Sequence, residues 1–176
     1  VFVRDLDTGQ RAAYRADEAW YLASTVKVPV AIAVLRAVER GDFTLDTPLT
    51  LRAADVVDGA GETNRHRVGA PLRVRYLLEQ MIVHSDNTAS DMLIGLVGIQ
   101  AVNGVVQALV PNGVGPVTSL ADVRRQIYAQ LTPAAAALSG ADFLLLRSQP
   151  TDCARVSALA GLLKVPAASL APLRLG

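Results

Sequence analysis

The chain has 176 residues, 51% of them hydrophobic and 19% charged, with a net charge of +1. That is enough apolar material for one domain or two interlocked subdomains, and it excludes a disordered or acidic solvating chain. Near-neutrality predicts no special attraction to nucleic acid or an anionic membrane. No stretch reaches the roughly 18 uninterrupted apolar residues of a membrane span.

The opening "VFVRDLD" alternates apolar and polar residues, "TGQ" is turn chemistry, and "RAAYRADEAWYLA" returns. This predicts a β-hairpin feeding a helix at Ser24, with Trp20 expected to pack rather than line a cleft. No basic n-region with an apolar h-region opens the chain. From Thr25 to Arg40 apolar positions cover most of a helix surface, and Gly41 stops it; a helix so apolar all round should be buried. Pro29, in its second turn, removes one backbone hydrogen bond. "GDFTLDTPLTLRAADVVDGAGETNRHRVG" reads as a long polar connection with short pieces of structure. Pro71 fits the first position of a helix carrying Leu72, Leu77, Leu78, Met81 and Ile82 on one face. Arg65, Arg67, Arg73 and Arg75 are accounted for by a solvated loop and helix start rather than a phosphate patch.

"NTASDMLIGLVG", closed by Gly98, and "IQAVNGVVQALV", ended by "PNGVGP", are two further helices. Ser119 with Asp122 resembles a capping box opening "LADVRRQIYAQL". "PAAAALSGADFLLLRS" and "DCARVSALAGLLK" read as helical, with Cys153, the one cysteine, a small core residue that permits no internal disulfide. No strand is legible after Trp20, which leaves the hairpin marginal unless helices or further strands cover it.

Two short motifs carry chemistry. In "STVK", Ser24 at the N-cap and Lys27 one turn on share a helix face. A lysine amine beside a serine hydroxyl can take its proton if burial lowers the lysine pKa, and helix N-terminal N–H groups favour a developing oxyanion. A capping serine with a snorkelling lysine explains the same letters. Against that stands the cost of burying an uncompensated ammonium in so apolar a helix. In "HSDNTAS", Ser85, Asp86 and Asn87 are all good caps between two helices, so this motif alone also fits a structural role. Together they are more specific: Ser-x-x-Lys after a hairpin, followed about sixty residues later by Ser-Asp-Asn. A triad through His84 is a poor competitor, because a helix-end histidine is ordinarily solvated. His66, His84 and Cys153 lack zinc-ligand spacing.

On these residues the chain resembles the serine β-lactamase and penicillin-binding (DD-peptidase) superfamily, most closely class A β-lactamases. The resemblance is carried by "DLDTG", "STVK" at 24–27, "GAG" at 59–61, "LLEQMIVHSDNTASDMLI" at 77–94 and the "VNGVVQAL" helix, from about Val3 to Leu109. It implies an α/β (α+β) fold, an antiparallel sheet flanked by helices plus a mostly helical subdomain. Residues 1–23 would begin the sheet-containing part, 24–164 would form the helical subdomain with both motifs, and 165–176 are an unassigned tail. Ser24 would be the acylated nucleophile, its backbone N–H half of an oxyanion hole, and Lys27 its proton partner. Ser85 would relay a proton to the leaving nitrogen, Asn87 would bond the substrate amide or the lysine, and Asp86 would orient the turn. Glu62, Thr63 and Asn64 would lie on the cleft rim. No cofactor or metal is implied. The expected partner is a small-molecule β-lactam or a peptidoglycan stem peptide, and the expected location is exported, periplasmic or secreted. Nothing in the sequence sets the oligomeric state.

Two features depart from the family pattern. Class A enzymes carry a water-activating glutamate after Ser-Asp-Asn, whereas Glu18, Glu39, Glu62 and Glu79 all precede Ser85. Aspartates follow it, but "QPTDCA" around Asp152 is a distant echo of the expected loop, and aspartate is one methylene shorter. The Lys-Thr-Gly strand is also missing, Lys164 being the one later lysine. Completing the sheet requires strands beyond these residues, so a longer polypeptide is expected, and a chain ending at Gly176 is not expected to be an efficient catalyst. The expected function is β-lactam hydrolysis through an acyl-enzyme. The alternatives are a D-Ala-D-Ala peptidase that deacylates slowly, favoured by the missing glutamate, and a non-catalytic binding domain, favoured by the missing Lys-Thr-Gly.

Overall fold

The computed structural model describes residues 1–170, so most of the 165–176 tail lies outside the described residues. Strand β1 (Phe2–Arg4) pairs antiparallel with β2 (Arg11–Ala13) in the register Phe2↔Ala13, Val3↔Ala12, Arg4↔Arg11. Asp5 builds the turn: its Oδ1 accepts from the N–H groups of Thr8 at 2.9 Å and Asp7 at 2.8 Å, which holds its carboxyl below the ordinary range. Every residue of both strands is exposed, Phe2 and Val3 included.

A turn of 3-10 helix (Ala23–Val26) carries Ser24 into α1 (Lys27–Glu39). At its end Gly41 N–H bonds Val38 C=O and Asp42 N–H bonds Ala37 C=O, both at 3.0 Å, a Schellman closure that Gly41 permits at φ +80°. Pro29 is the third residue of α1, in its first turn, where a backbone N–H has no partner within the helix anyway. The helix is not buried all round. Lys27, Val30, Ala33, Val34 and Ala37 form the buried stripe, while Val28 and Leu35 remain 51% and 45% exposed.

The connection after Gly41 is more structured than its polarity suggests. Strand β3 (Pro48–Thr50) pairs antiparallel with β4 (Pro71–Arg73), Leu49 facing Leu72. Pro71 therefore opens a strand rather than a helix, and α2 (Val74–Val83) starts three residues later. Between the strands, Leu51, Val56 and Val57 enter the core and Asp55, Asp58 and Thr63 are buried. Helix α2 buries Val74, Leu77 and Met81 but leaves Ile82 exposed. Arg65 pairs with Glu62, and Arg73 and Arg75 flank Asp46 at 3.8 and 3.5 Å, all at the surface.

Helices α3 (Asn87–Val97) and α4 (Ile99–Leu109) meet at Gly98 with a 92° bend. The main core gathers Val30, Val34, Leu77, Met81, Ala89, Leu93 and Val102 from α1 to α4. Ser119 caps α5 (Leu120–Ala129), its Oγ accepting from the Asp122 N–H at 3.1 Å, as the sequence predicts. Ser139 and Thr151 cap α6 (Gly140–Ser148) and α7 (Asp152–Leu163), which share a second cluster around Phe143, Leu146 and Leu159. Cys153, on the first turn of α7, is exposed rather than part of the core. Among the described residues no single helix is long and apolar enough to cross a membrane.

Candidate active site

The site is built at the junction of α2 and α3. Ser85 adopts φ +55°, a left-handed conformation uncommon for a residue with a side chain, and Asp86 N–H returns to Gln80 C=O at 3.1 Å. Asp86, 1% exposed, is the N-cap of α3. Its Oδ1 accepts from Ala89 N–H at 2.8 Å and its Oδ2 from Thr63 N–H at 2.7 Å. The two neighbours of this buried carboxylate are thereby fixed toward α1. Close packing explains the "GAG" spacing. A Cβ on Gly59 (φ +117°) would lie 2.1 Å from Asn87 Nδ2, and one on Gly61 (φ +94°) 2.1 Å from Asp86 Oδ2. The glycines let the 57–61 backbone approach, so that Asn87 Nδ2 donates to Asp58 C=O at 2.8 Å and Asn87 N–H to Ala60 C=O at 3.0 Å.

Lys27 is 3% exposed, so it does not snorkel. Its Nζ donates to the Ser85 carbonyl, to Ser85 Oγ at 2.9 Å and to Asn87 Oδ1 at 2.8 Å, which uses all three ammonium protons. Ser85 Oγ in turn donates to Ser24 Oγ at 2.8 Å. The four residues singled out in the sequence, Ser24, Lys27, Ser85 and Asn87, thus come together. Two local expectations need correcting. Ser24 is not a helix N-cap, because Leu22 holds that place in the 3-10 turn and no side chain caps it. Lys27 reaches Ser24 through Ser85 Oγ rather than by sharing a helix face with it. Burial pushes the Lys27 ammonium below the ordinary lysine value, opposed by the negative charges of Asp86 and Asp91.

Ser24 opens into a cleft of about 710 Å³ between residues 18–24 on one side and residues 113–118 with α5 on the other. Trp20 is 58% exposed and lines this cleft, which overturns the packing expectation. Glu62, Thr63 and Asn64 do not line it. Thr63 is buried behind Asp86, and Asn64 Nδ2 donates to Val57 C=O at 3.2 Å. His66 bonds the Tyr76 hydroxyl at 2.9 Å and shares with His84 a separate depression that excludes Ser24, so no triad forms through His84. Among the described residues no three His, Cys, Asp or Glu side chains converge to hold a metal.

Asp58, Arg124 and Asp91 join the site without a local signal in the sequence. Arg124 Nε donates to Asp58 Oδ1 at 2.6 Å across 66 residues of chain, a separation at which no local pattern signals a pair. Asp91, one turn beyond Asn87, accepts from Leu120 N–H at 2.7 Å and Ala121 N–H at 2.9 Å and so ties α3 to the start of α5. Burial raises its pKa from 3.8 to about 6, with the two N–H groups opposing and the Asp122 and Asp55 charges adding. A carboxyl whose folded pKa lies above its unfolded value destabilises the fold fully above the folded pKa, and the cost is relieved as pH falls toward the unfolded one. Stability relative to Asp91→Asn should therefore rise by about 2 kcal/mol between pH 6 and pH 4. Urea unfolding of both proteins across that window checks it, and a flat difference would refute the raised pKa.

A helical body carrying a serine–serine–lysine hydrogen-bond chain beside antiparallel strands is the α/β fold class of the β-lactamases and penicillin-binding proteins. The chain belongs to the Beta-lactamase enzyme family, which matches residues 1–139. It is 40% identical over 98 residues to beta-lactamase L2 of Stenotrophomonas maltophilia, covering 56% of this chain and 32% of that protein. It is 35% identical over 98 residues to beta-lactamase ROB-1 of Haemophilus influenzae, covering 56% and 31%. The chain thus matches about a third of the length of these curated relatives. Among solved structures, the beta-lactamase of Sphaerobacter thermophilus superposes with a TM-score of 0.56 at 40% identity over 61% of this chain and 40% of that one. PBP-A superposes at 0.63 and 26% identity over 82% and 58%, and an ancestral class A beta-lactamase at 0.58 and 27% identity over 96% and 58%.

Proposed function

We propose that this chain hydrolyses β-lactams through an acyl-enzyme on Ser24. The observation that carries the reading is the chain Lys27 Nζ–Ser85 Oγ–Ser24 Oγ, with links of 2.9 and 2.8 Å, ending at Ser24 in the lining of an open cleft. In the arrangement observed, the lysine is an ammonium donating outward. To act as a base it must lose one proton, and its burial lowers the cost of doing so. Neutral Lys27 then takes the Ser85 hydroxyl proton while Ser85 takes that of Ser24. Ser24 Oγ bonds to the lactam carbonyl carbon, the C–N bond breaks, and Ser85 passes a proton to the leaving nitrogen and recovers its own from Lys27. Water then cleaves the ester and frees Ser24. Asn87 holds Lys27 through Oδ1, and the second proton of its amide nitrogen is available to a substrate amide.

A second reading is a penicillin-binding D-Ala-D-Ala peptidase acting on peptidoglycan stem peptides and deacylating slowly. Within these 176 residues no glutamate follows Ser85 to activate the water, and the fold resembles PBP-A. Both readings place the protein outside the cytoplasm, periplasmic or secreted, where such substrates occur, and the first would confer antibiotic resistance. In either, residues 1–23 belong to the sheet-containing side of the cleft and residues 24–164 to the helical side.

Intact mass spectrometry after brief incubation with benzylpenicillin tests the proposal. A transient adduct with drug consumed supports the β-lactamase reading, and a persistent adduct supports the peptidase. Absence of both adduct and drug consumption would sink the two together.

A further inference from the structure

Arg124 is the cationic side chain of the cleft wall next to Asn87: the Cβ position of Gly59 lies 2.1 Å from Asn87 Nδ2 and 3.6 Å from the Arg124 terminal nitrogen. Asp58, 12% exposed along its side chain, fixes the guanidinium from behind through Nε at 2.6 Å. Among the described residues the two terminal nitrogens of Arg124 carry no hydrogen-bond partner, and its side chain is 33% exposed. Four N–H donors in a rigid planar end are therefore held in place and unspent, the geometry that receives a carboxylate bidentately. Glu18, the acidic residue on the opposite wall, is already paired with Arg15 at 2.6 Å and does not compete.

We propose that Arg124 anchors a carboxylate carried on the acyl side of the substrate, so that the site prefers acyl donors with an anionic acyl side chain. This rests on the acyl-enzyme reading, because Asn87 would place the substrate amide beside Arg124. A substrate bonded to Asn87 has its acyl side chain on that wall, away from the leaving nitrogen at Ser85. Pairing with Asp58 leaves the guanidinium preorganised, so ordering it costs little when the anion arrives.

The test compares α-carboxybenzylpenicillin, which carries an extra carboxylate on its acyl side chain, with benzylpenicillin. The double substitution Asp58→Asn/Arg124→Gln removes the cation without leaving a buried carboxylate unpaired. The ratio of the two second-order acylation rate constants should favour the carboxylated drug in the native protein. It should fall about tenfold in the variant, the effect of one good charge-assisted contact. An equal slowing of both drugs, or an unchanged ratio, overturns the proposal. A separate readout avoids the chemistry. Trp20, the single tryptophan, lines the same cleft, so its fluorescence reports binding of phenylmalonate against phenylacetate. Tighter phenylmalonate binding lost in the variant supports Arg124 even if neither penicillin acylates the protein, in which case only the acyl-enzyme reading fails. Equal binding of the two acids overturns the Arg124 assignment alone.

Discussion

Ser24→Ala should abolish covalent labelling by penicillin while leaving the fold intact. Ser24 is exposed, caps no helix, and its side chain has a hydrogen bond only with Ser85 Oγ among the described residues. Its removal should therefore change stability by no more than about 0.5 kcal/mol, as for a surface position. Lys27→Ala should slow acylation by about 10²–10⁴-fold, the range for loss of a general base, with a stability cost because the Ser85 carbonyl and Asn87 Oδ1 lose their donor. The pH profile separates these roles. Acylation should rise with pH along a limb centred below 10.5, the ordinary lysine value, because burial lowers the pKa of Lys27. Peptide mapping of the adduct and a rate–pH series make the check. Labelling that survives Ser24→Ala would move the nucleophile elsewhere. A limb at or above 10.5 would remove Lys27 as the base.

The candidate site was legible because each half of it is local. Ser24 and Lys27 are three residues apart, and Ser85 and Asn87 flank one capping aspartate, so residue type and spacing carry the information. Their meeting is a tertiary fact, made by the buried bond network of Asp86 and by Lys27 crossing to the α2–α3 junction. Helices α3, α4 and α5 announced themselves through Asp86, Gly98 and Ser119, residues whose side-chain or backbone chemistry acts within one turn. Strands β3 and β4 did not. Each is three residues long, each begins with proline, and the pairing that creates them joins positions 48–50 to 71–73. A proline before an amphipathic run looks the same whether the backbone is extended or helical. The outer face of α1 misled for another reason. Apolar residues on all sides indicate what a helix can bury, but Val28 and Leu35 are covered only in part. Trp20 and Cys153 were read by the average habits of their residue types, and exposure is set by neighbours rather than by type.

Asp86→Ala should be the most damaging single change at the site. Loss of the N-cap costs about 0.5–2 kcal/mol, and leaving the buried Thr63 N–H without an acceptor adds about 1–3 kcal/mol, so a destabilisation of about 3 kcal/mol is expected. Asp86→Asn keeps one acceptor oxygen and should cost less. The effect on chemistry distinguishes two roles that pull in opposite directions. As a nearby negative charge, Asp86 raises the Lys27 pKa, so removing it should yield more neutral lysine at pH 7 and faster acylation. As the bond that fixes the turn, it holds Ser85 at φ +55° and within 2.8 Å of Ser24 Oγ, and removing it should scatter the relay. We expect geometry to win, because a misplaced relay atom costs about 10²-fold for a displacement near 1 Å. Acylation by Asp86→Asn should thus fall at every pH even as its alkaline limb moves to lower pH. A rate that rises instead would make Asp86 an electrostatic brake on Lys27 rather than the residue that positions its partners.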